Sequence, residues 1–254
     1  MRNFQMNEIK FNIGVIHPVE CMREGWELIK DQYWLFFAIT LVGILIAGST
    51  MYILLGAMFC GIYYCLFQKM DGQPIKFEGL FKGFDFFLPG LVASLVLIIP
   101  SIILGILAYI PLIMMQLALM RTKNPNPDEI FAYFGFFAVE MIVVWLILGT
   151  IHAFLFFAYP LIVEYKLSGM DAFKLSAKAV WQNLGGIVGF IALEFVLVIV
   201  GYLLCIVGVY LTLPIMFAGA FVVYRKVFPP IGNRNVNPPP PDAFQGAGSY
   251  TQRI

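Results

Sequence analysis

Four stretches of this chain are nearly free of ionisable side chains, and each is too long for one ordinary membrane crossing. Tyr33 to Phe67 and Phe86 to Met120 contain no Asp, Glu, Lys or Arg. Ile130 to Val163 has only Glu140, and Leu184 to Tyr224 has only Glu194. Counted from these bounds the blocks hold 35, 35, 34 and 41 residues. A helix of about 35 residues would run roughly 52 Å, against a hydrocarbon core of about 30 Å. One such helix would have to tilt by roughly 55°, beyond the usual range of about 0–40°. Composition closes the other routes. The chain is 61% hydrophobic and 12% charged, with a mean hydropathy of +0.86. Soluble domains carry about 25% charged residues, so this chain cannot cover a water-facing surface. A soluble enzyme, a disordered regulator and a nucleic-acid binder are excluded, and a net charge of +1 supplies no field for a polyanion.

Turn-forming residues divide the blocks. Gly48-Ser49-Thr50 lies near the centre of the first, Pro100-Ser101 of the second and Gly149-Thr150 of the third, while the fourth carries Gly201 and the run Cys205 to Gly208. Gly and Pro let a helix turn back on itself, although both also occur within kinked spans. Basic residues favour the hairpins. Lys30, Lys69, Lys82, Arg121, Lys123, Lys166, Lys178, Arg225 and Arg234 all lie between or beyond the blocks. The positive-inside rule puts them together on the cytosolic side if every block crosses twice. The expected fold is all-α and polytopic, with about six to eight short spans and both termini in the cytoplasm. The first thirty residues hold no uninterrupted apolar run of the kind a cleaved signal needs.

A polar-apolar leader precedes each block, and the leaders read as an internal repeat. Val19, Met22, Trp26, Ile29 and Tyr33 recur at helical spacing, as do Met170, Phe173, Ala177, Val180 and Leu184. Cys21 and Gly25 in the first match Ala172 and Ser176 in the fourth. The second runs from Pro74 to Phe84 and the third from Pro127 to Phe134. Amphipathic and too charged to cross, they are expected to lie in the membrane interface, anchored by Trp26, Tyr33, Trp34 and Trp181. The chain thus divides into a cytosolic N-terminus with its first amphipathic helix (1–32), a transmembrane domain of repeated hairpin units (33–228) and a Pro- and Gly-rich cytosolic tail (229–254).

Gly25-Trp26-Glu27-Leu28-Ile29-Lys30, Gly61-Ile62-Tyr63, Gln73-Pro74 and Leu80-Phe81-Lys82-Gly83-Phe84 follow one another in a characteristic order, continued by Pro160-Leu161-Ile162, Ala172 to Ser176, Cys205 to Gly208 and Pro214-Ile215. Over residues 15–228 the chain resembles an uncharacterised family of bacterial polytopic inner-membrane proteins. These are relatives of the membrane domain found beside glycerophosphodiester phosphodiesterases. The resemblance implies a helical inner-membrane fold of three hairpin units, with Arg121 to Phe157 as an extra one. It implies no reaction, because the phosphodiesterase chemistry belongs to a separate soluble domain.

The residues themselves offer little chemistry. Glu140 and Glu194 are the only acids within apolar blocks, and an ionisable group at that depth raises the question of function. Either acid could carry protons or bind a cation, or could accept a hydrogen bond from a partner helix. His152 has no second histidine nearby, and His17 lies in a leader, so no metal site is expected. No catalytic serine setting, nucleotide-binding loop or cofactor fingerprint is present, and neither catalytic residues nor cofactors are assigned. Cys21, Cys60, Cys65 and Cys205 read as small apolar fillers. Ala57 with Gly61 and Gly185 with Gly189 have the spacing that lets membrane helices approach closely. In the tail, Pro238 to Pro241 would form a short polyproline rod able to dock a partner. The leading expectation is a non-enzymatic scaffold or accessory subunit that meets lipids and other membrane subunits. The alternative is a small-solute or ion transporter using Glu140 and Glu194, which would require both carboxylates to line one cavity.

Overall fold

The computed structural model describes residues 9–121, 126–203 and 207–230. The turn at Cys205, the tail beyond Pro230 with Arg234 and Pro238 to Pro241, and Lys123 lie outside the described residues. Among the described residues the chain is all-α, with no strand. Five helical stretches among the described residues are long and apolar enough to cross a membrane: Pro18–Ser49, Phe77–Leu117, Ile130–Tyr165, Leu184–Leu203 and Val207–Val227. The protein is a polytopic, all-α membrane protein.

The first and fourth blocks each form two helices. α2 (Tyr33–Ser49) and α3 (Leu55–Met70) meet through a turn in which Met51 and Tyr52 take positive φ. The hydroxyl of Thr50 holds the end of α2 by donating to the Ile46 carbonyl at 2.8 Å. α8 (Leu184–Leu203) and α9 (Val207–Val227) make the last hairpin, with Gly201 seated against Gly208 and Val209.

The two middle blocks differ from the expected pattern. Pro100-Ser101 does not break its helix, and α4 (Phe87–Arg121) runs 35 residues through Pro100 and Pro111. Ser101 donates its hydroxyl to the Leu97 carbonyl at 2.7 Å, and the helix continues through Pro100, as membrane helices tolerate. Gly149-Thr150 is likewise helical within α5 (Pro127–Phe154), where Thr150 donates to the Leu146 carbonyl. The break comes later, at Leu155 to Phe157, before α6 (Ala158–Tyr165). There Ser176 of α7 (Gly169–Gln182) accepts a hydrogen bond from the Phe157 amide at 3.0 Å. α4 and α5 are therefore the two arms of one long hairpin. Arg121 stands at its tip, away from Lys82 and Lys166 rather than beside them. Arg121 to Phe157 is not an extra unit; its helical part is the return arm, α5.

The leaders are braced against neighbouring helices. α1 (Pro18–Ile29) runs antiparallel along α9: Asn12 bonds to the Val227 carbonyl, Gly25 meets Ala218 and Gly219, and the Tyr33 hydroxyl donates to the Leu211 carbonyl. The small residues Cys21 and Gly25 face inward, while Val19 and Trp26 are exposed. The second leader is a 3₁₀ segment, Phe77–Phe86, running antiparallel along α3. Gly79 abuts Cys65, and Gly83 abuts Ala57 and Gly61. The three-residue period of such a segment puts Leu80 and Gly83 on its buried side. The third leader is the first two turns of α5, capped by the Asn126 side chain, which accepts from the Asp128 amide. α7 has its own cap, the Ser168 hydroxyl accepting from the Asp171 amide, and buries Ala172, Ser176 and Val180.

A β-carbon on Gly61 would lie 2.0 Å from the Leu80 carbonyl oxygen, whereas one on Gly185 would meet nothing within 4 Å. Gly61→Ala should therefore lower stability by about 1–3 kcal/mol or abolish folding, while Gly185→Ala should be neutral or slightly stabilising. Thermal unfolding of the purified variants in one detergent measures both. The single long hairpin also predicts that a reporter fused after Arg121 falls on the opposite side of the membrane from reporters after Lys69 and Lys166.

Candidate intramembrane cavity

On α8 the inward positions recur at helical spacing. Ile187 and Phe190 are fully buried, Glu194 follows one turn later, and Gly201 continues the stripe two turns on. A helix that packs by this stripe carries its one acid toward the protein. Glu194 opens into a cavity of about 230 Å³, bounded by α3, α4, α6, α8 and α9 and by the end of α5. Most of its wall is aromatic and aliphatic. Phe59 and Tyr63 come from α3, Phe156 and Tyr159 from around the start of α6, and Phe217 from α9, with Leu97, Leu213 and Met216 between them. Phe59 makes edge-to-face contacts with Tyr159 at 5.1 Å and with Phe217 at 5.2 Å, and Tyr63 meets Phe217 at 6.0 Å. These rings form one continuous aromatic wall.

Four polar groups interrupt that wall. The Tyr159 hydroxyl is held by Ser94 at 3.1 Å, and Ser94 also donates to the Gly90 carbonyl. Tyr63 is buried within electrostatic reach of Glu194. His152 lines the cavity but is exposed, which places it at the rim. Among the described residues, the Glu194 carboxylate has no hydrogen-bond or ion-pair partner.

Glu140 is elsewhere. Phe137, Glu140, Met141, Val144 and Leu148 are the less exposed positions of this part of α5 and form its stripe toward α4. One Glu140 carboxylate oxygen is buried there without a hydrogen-bond partner. It stands 12 residues, about 18 Å of helix, from His152. The structure therefore brings Glu194 and His152 to one cavity and leaves Glu140 inside the long hairpin. The interfacial candidates Trp26, Trp34 and Trp181 are exposed, and Tyr33 is half-buried. Ala57 and Gly61 make close helix contacts; Gly189 approaches only Pro18, and Gly185 makes no close contact. Cys21, Cys60 and Cys65 are free and buried. No group of three metal-ligating side chains occurs among the described residues.

A second acid escapes sequence reasoning because its partner is 61 residues away. Arg225 at the end of α9 bonds Glu164 at 2.6 Å, and the Tyr224 hydroxyl donates to the other carboxylate oxygen. The guanidinium also stacks over Phe67, 4.6 Å from the ring centroid. Glu164 borders a wider cleft of about 590 Å³ with Asp85 and Lys166, but its own charge is already matched there. Nearby, Lys226 pairs with Glu24 at 2.8 Å, tying α9 to α1.

No family model, curated protein or solved structure matches this chain.

Removing one member of a buried ion pair leaves the other charge uncompensated. Arg225→Gln should therefore destabilise the protein by about 3–5 kcal/mol, and adding Glu164→Gln should recover most of that loss. A double-mutant cycle on thermal unfolding tests the coupling.

Proposed function

We propose that this chain is a bacterial inner-membrane protein of the solute- or ion-transporting class, with Glu194 as its binding carboxylate and His152 at the entrance. The observation that carries this reading is the unpartnered Glu194 carboxylate facing a cavity where several membrane helices meet. Glu164, by contrast, is held by Tyr224 and Arg225, and Glu140, also without a hydrogen-bond partner at one oxygen, does not line this cavity; Glu194 combines an open carboxylate with a cavity. Glu140 lies outside the cavity, so the two-carboxylate form of the transport reading fails and the proposal keeps Glu194 alone. The termini are taken as cytoplasmic, from the basic residues that flank α1 and follow α9. The likeness to the membrane domain beside phosphodiesterases agrees with this placement and adds no reaction, so the chain is read as a non-enzyme.

A second reading keeps the accessory subunit. It rests on the α4–α5 hairpin, whose outer faces expose Ile106, Tyr109, Phe131, Trp145 and Leu146 without cover from the other described residues. Lipid or a neighbouring membrane subunit would take that surface. Gentle purification followed by native mass spectrometry separates the two, since a subunit would retain a stoichiometric partner.

The transport reading is tested in reconstituted vesicles by proton and sodium flux under an imposed membrane potential. Glu194→Gln should reduce flux by more than about tenfold, because it removes the titratable group from the cavity. Glu140→Gln should leave flux near wild type. Equal flux through wild type and Glu194→Gln would count against the site.

A further inference from the structure

Building on the transport reading, we infer that the Glu194 cavity receives a small organic cation, an ammonium group carrying alkyl substituents. Three properties of the wall point to this class. Its one acid has no partner among the described residues, so a cation can replace its proton and be held as an ion pair, whereas an anion cannot. Its remaining surface is dominated by π-systems, with Phe59, Tyr63, Tyr159 and Phe217 in one linked cluster. Aromatic enclosures attract desolvated cations through the ring quadrupole and are the usual recognition device for quaternary ammonium groups.

The third property is what the wall lacks. A bare metal ion that sheds its water needs several oxygen ligands, about six for a hard cation. Here the side-chain oxygens of the lining residues are those of Glu194 and of two tyrosines, and that of Tyr159 is already engaged by Ser94. An alkylammonium carries its own apolar shell and needs no such replacement. Size agrees: about 230 Å³ lies below the roughly 300–1,000 Å³ of sites for drug-sized ligands. The ligand is a molecule of a few carbons rather than a phospholipid.

The test uses the full chain in lipid nanodiscs, with choline as probe and its uncharged carbon isostere, dimethylbutanol, as control. Choline should raise the unfolding temperature saturably, and the isostere should not. Binding should weaken by about tenfold or more in Glu194→Gln and in Phe217→Leu, each with its own unliganded unfolding temperature as reference. Equal binding of choline and the isostere, or wild-type choline affinity in Glu194→Gln, overturns the inference. If Glu194→Gln fails to fold, the two probes on the wild type still decide. Glu194-dependent proton or sodium flux without choline binding overturns this inference alone. Absence of both removes the transport reading as well.

Discussion

Backbone-to-backbone contact at glycine sets the spacing on which the rest of this structure depends. Gly25 against Gly219, Gly61 against Leu80, Gly83 against Ala57 and Gly56 against Gly90 leave no room for a β-carbon. Lipid tails are as apolar as leucine, so the hydrophobic effect does little to bring membrane helices together. Close van der Waals packing has to hold them. These contacts seat α1 against α9 and the 3₁₀ segment against α3. With α3 and α9 braced from outside, Phe59, Tyr63 and Phe217 meet between them. The cavity follows from where the small residues are.

Electrostatics separates the acids inside this framework. Glu164 has Arg225 and Tyr224 within bonding distance and serves to lock α6 to α9. Lys226, with Glu20 and Glu24, does the same for α1 and α9 at a more exposed site. Glu194 stands among rings and aliphatic side chains with no such partner. One chain thus pairs an acid where it needs cohesion and leaves Glu194 without a partner at the cavity wall and Glu140 without one inside the α4–α5 hairpin.

Much of the fold was legible in the sequence. The charge-free blocks located the spans, and Gly48-Ser49-Thr50 located the first hairpin. Helical spacing in the first and fourth leaders marked α1 and α7. The middle of the chain departs from that pattern because Pro100-Ser101 and Gly149-Thr150 look like turns, whereas both lie within continuous helices, where a membrane protein tolerates proline and glycine. Basic residues added to the error by assigning Arg121 to the side of the leaders. At the site, the rarity of an intramembrane acid singled out Glu194, and His152 was marked by its type. The aromatic wall could not be foreseen. With 25 Phe and 12 Tyr in the chain, nothing local distinguishes Phe59, Tyr63 or Phe217 from ordinary packing residues. The Glu164–Arg225 pair likewise depends on a contact between distant segments.

Glu194 is an open carboxyl group and Glu164 a closed one. Reaction of native membranes with an apolar carbodiimide, followed by peptide mass mapping, measures this directly. Such reagents attack protonated carboxyl groups that they can reach within the apolar phase. Glu194 should be modified, and Glu164, whose oxygens are held by Arg225 and Tyr224, should be protected. Modification of Glu164 with Glu194 left intact would contradict it.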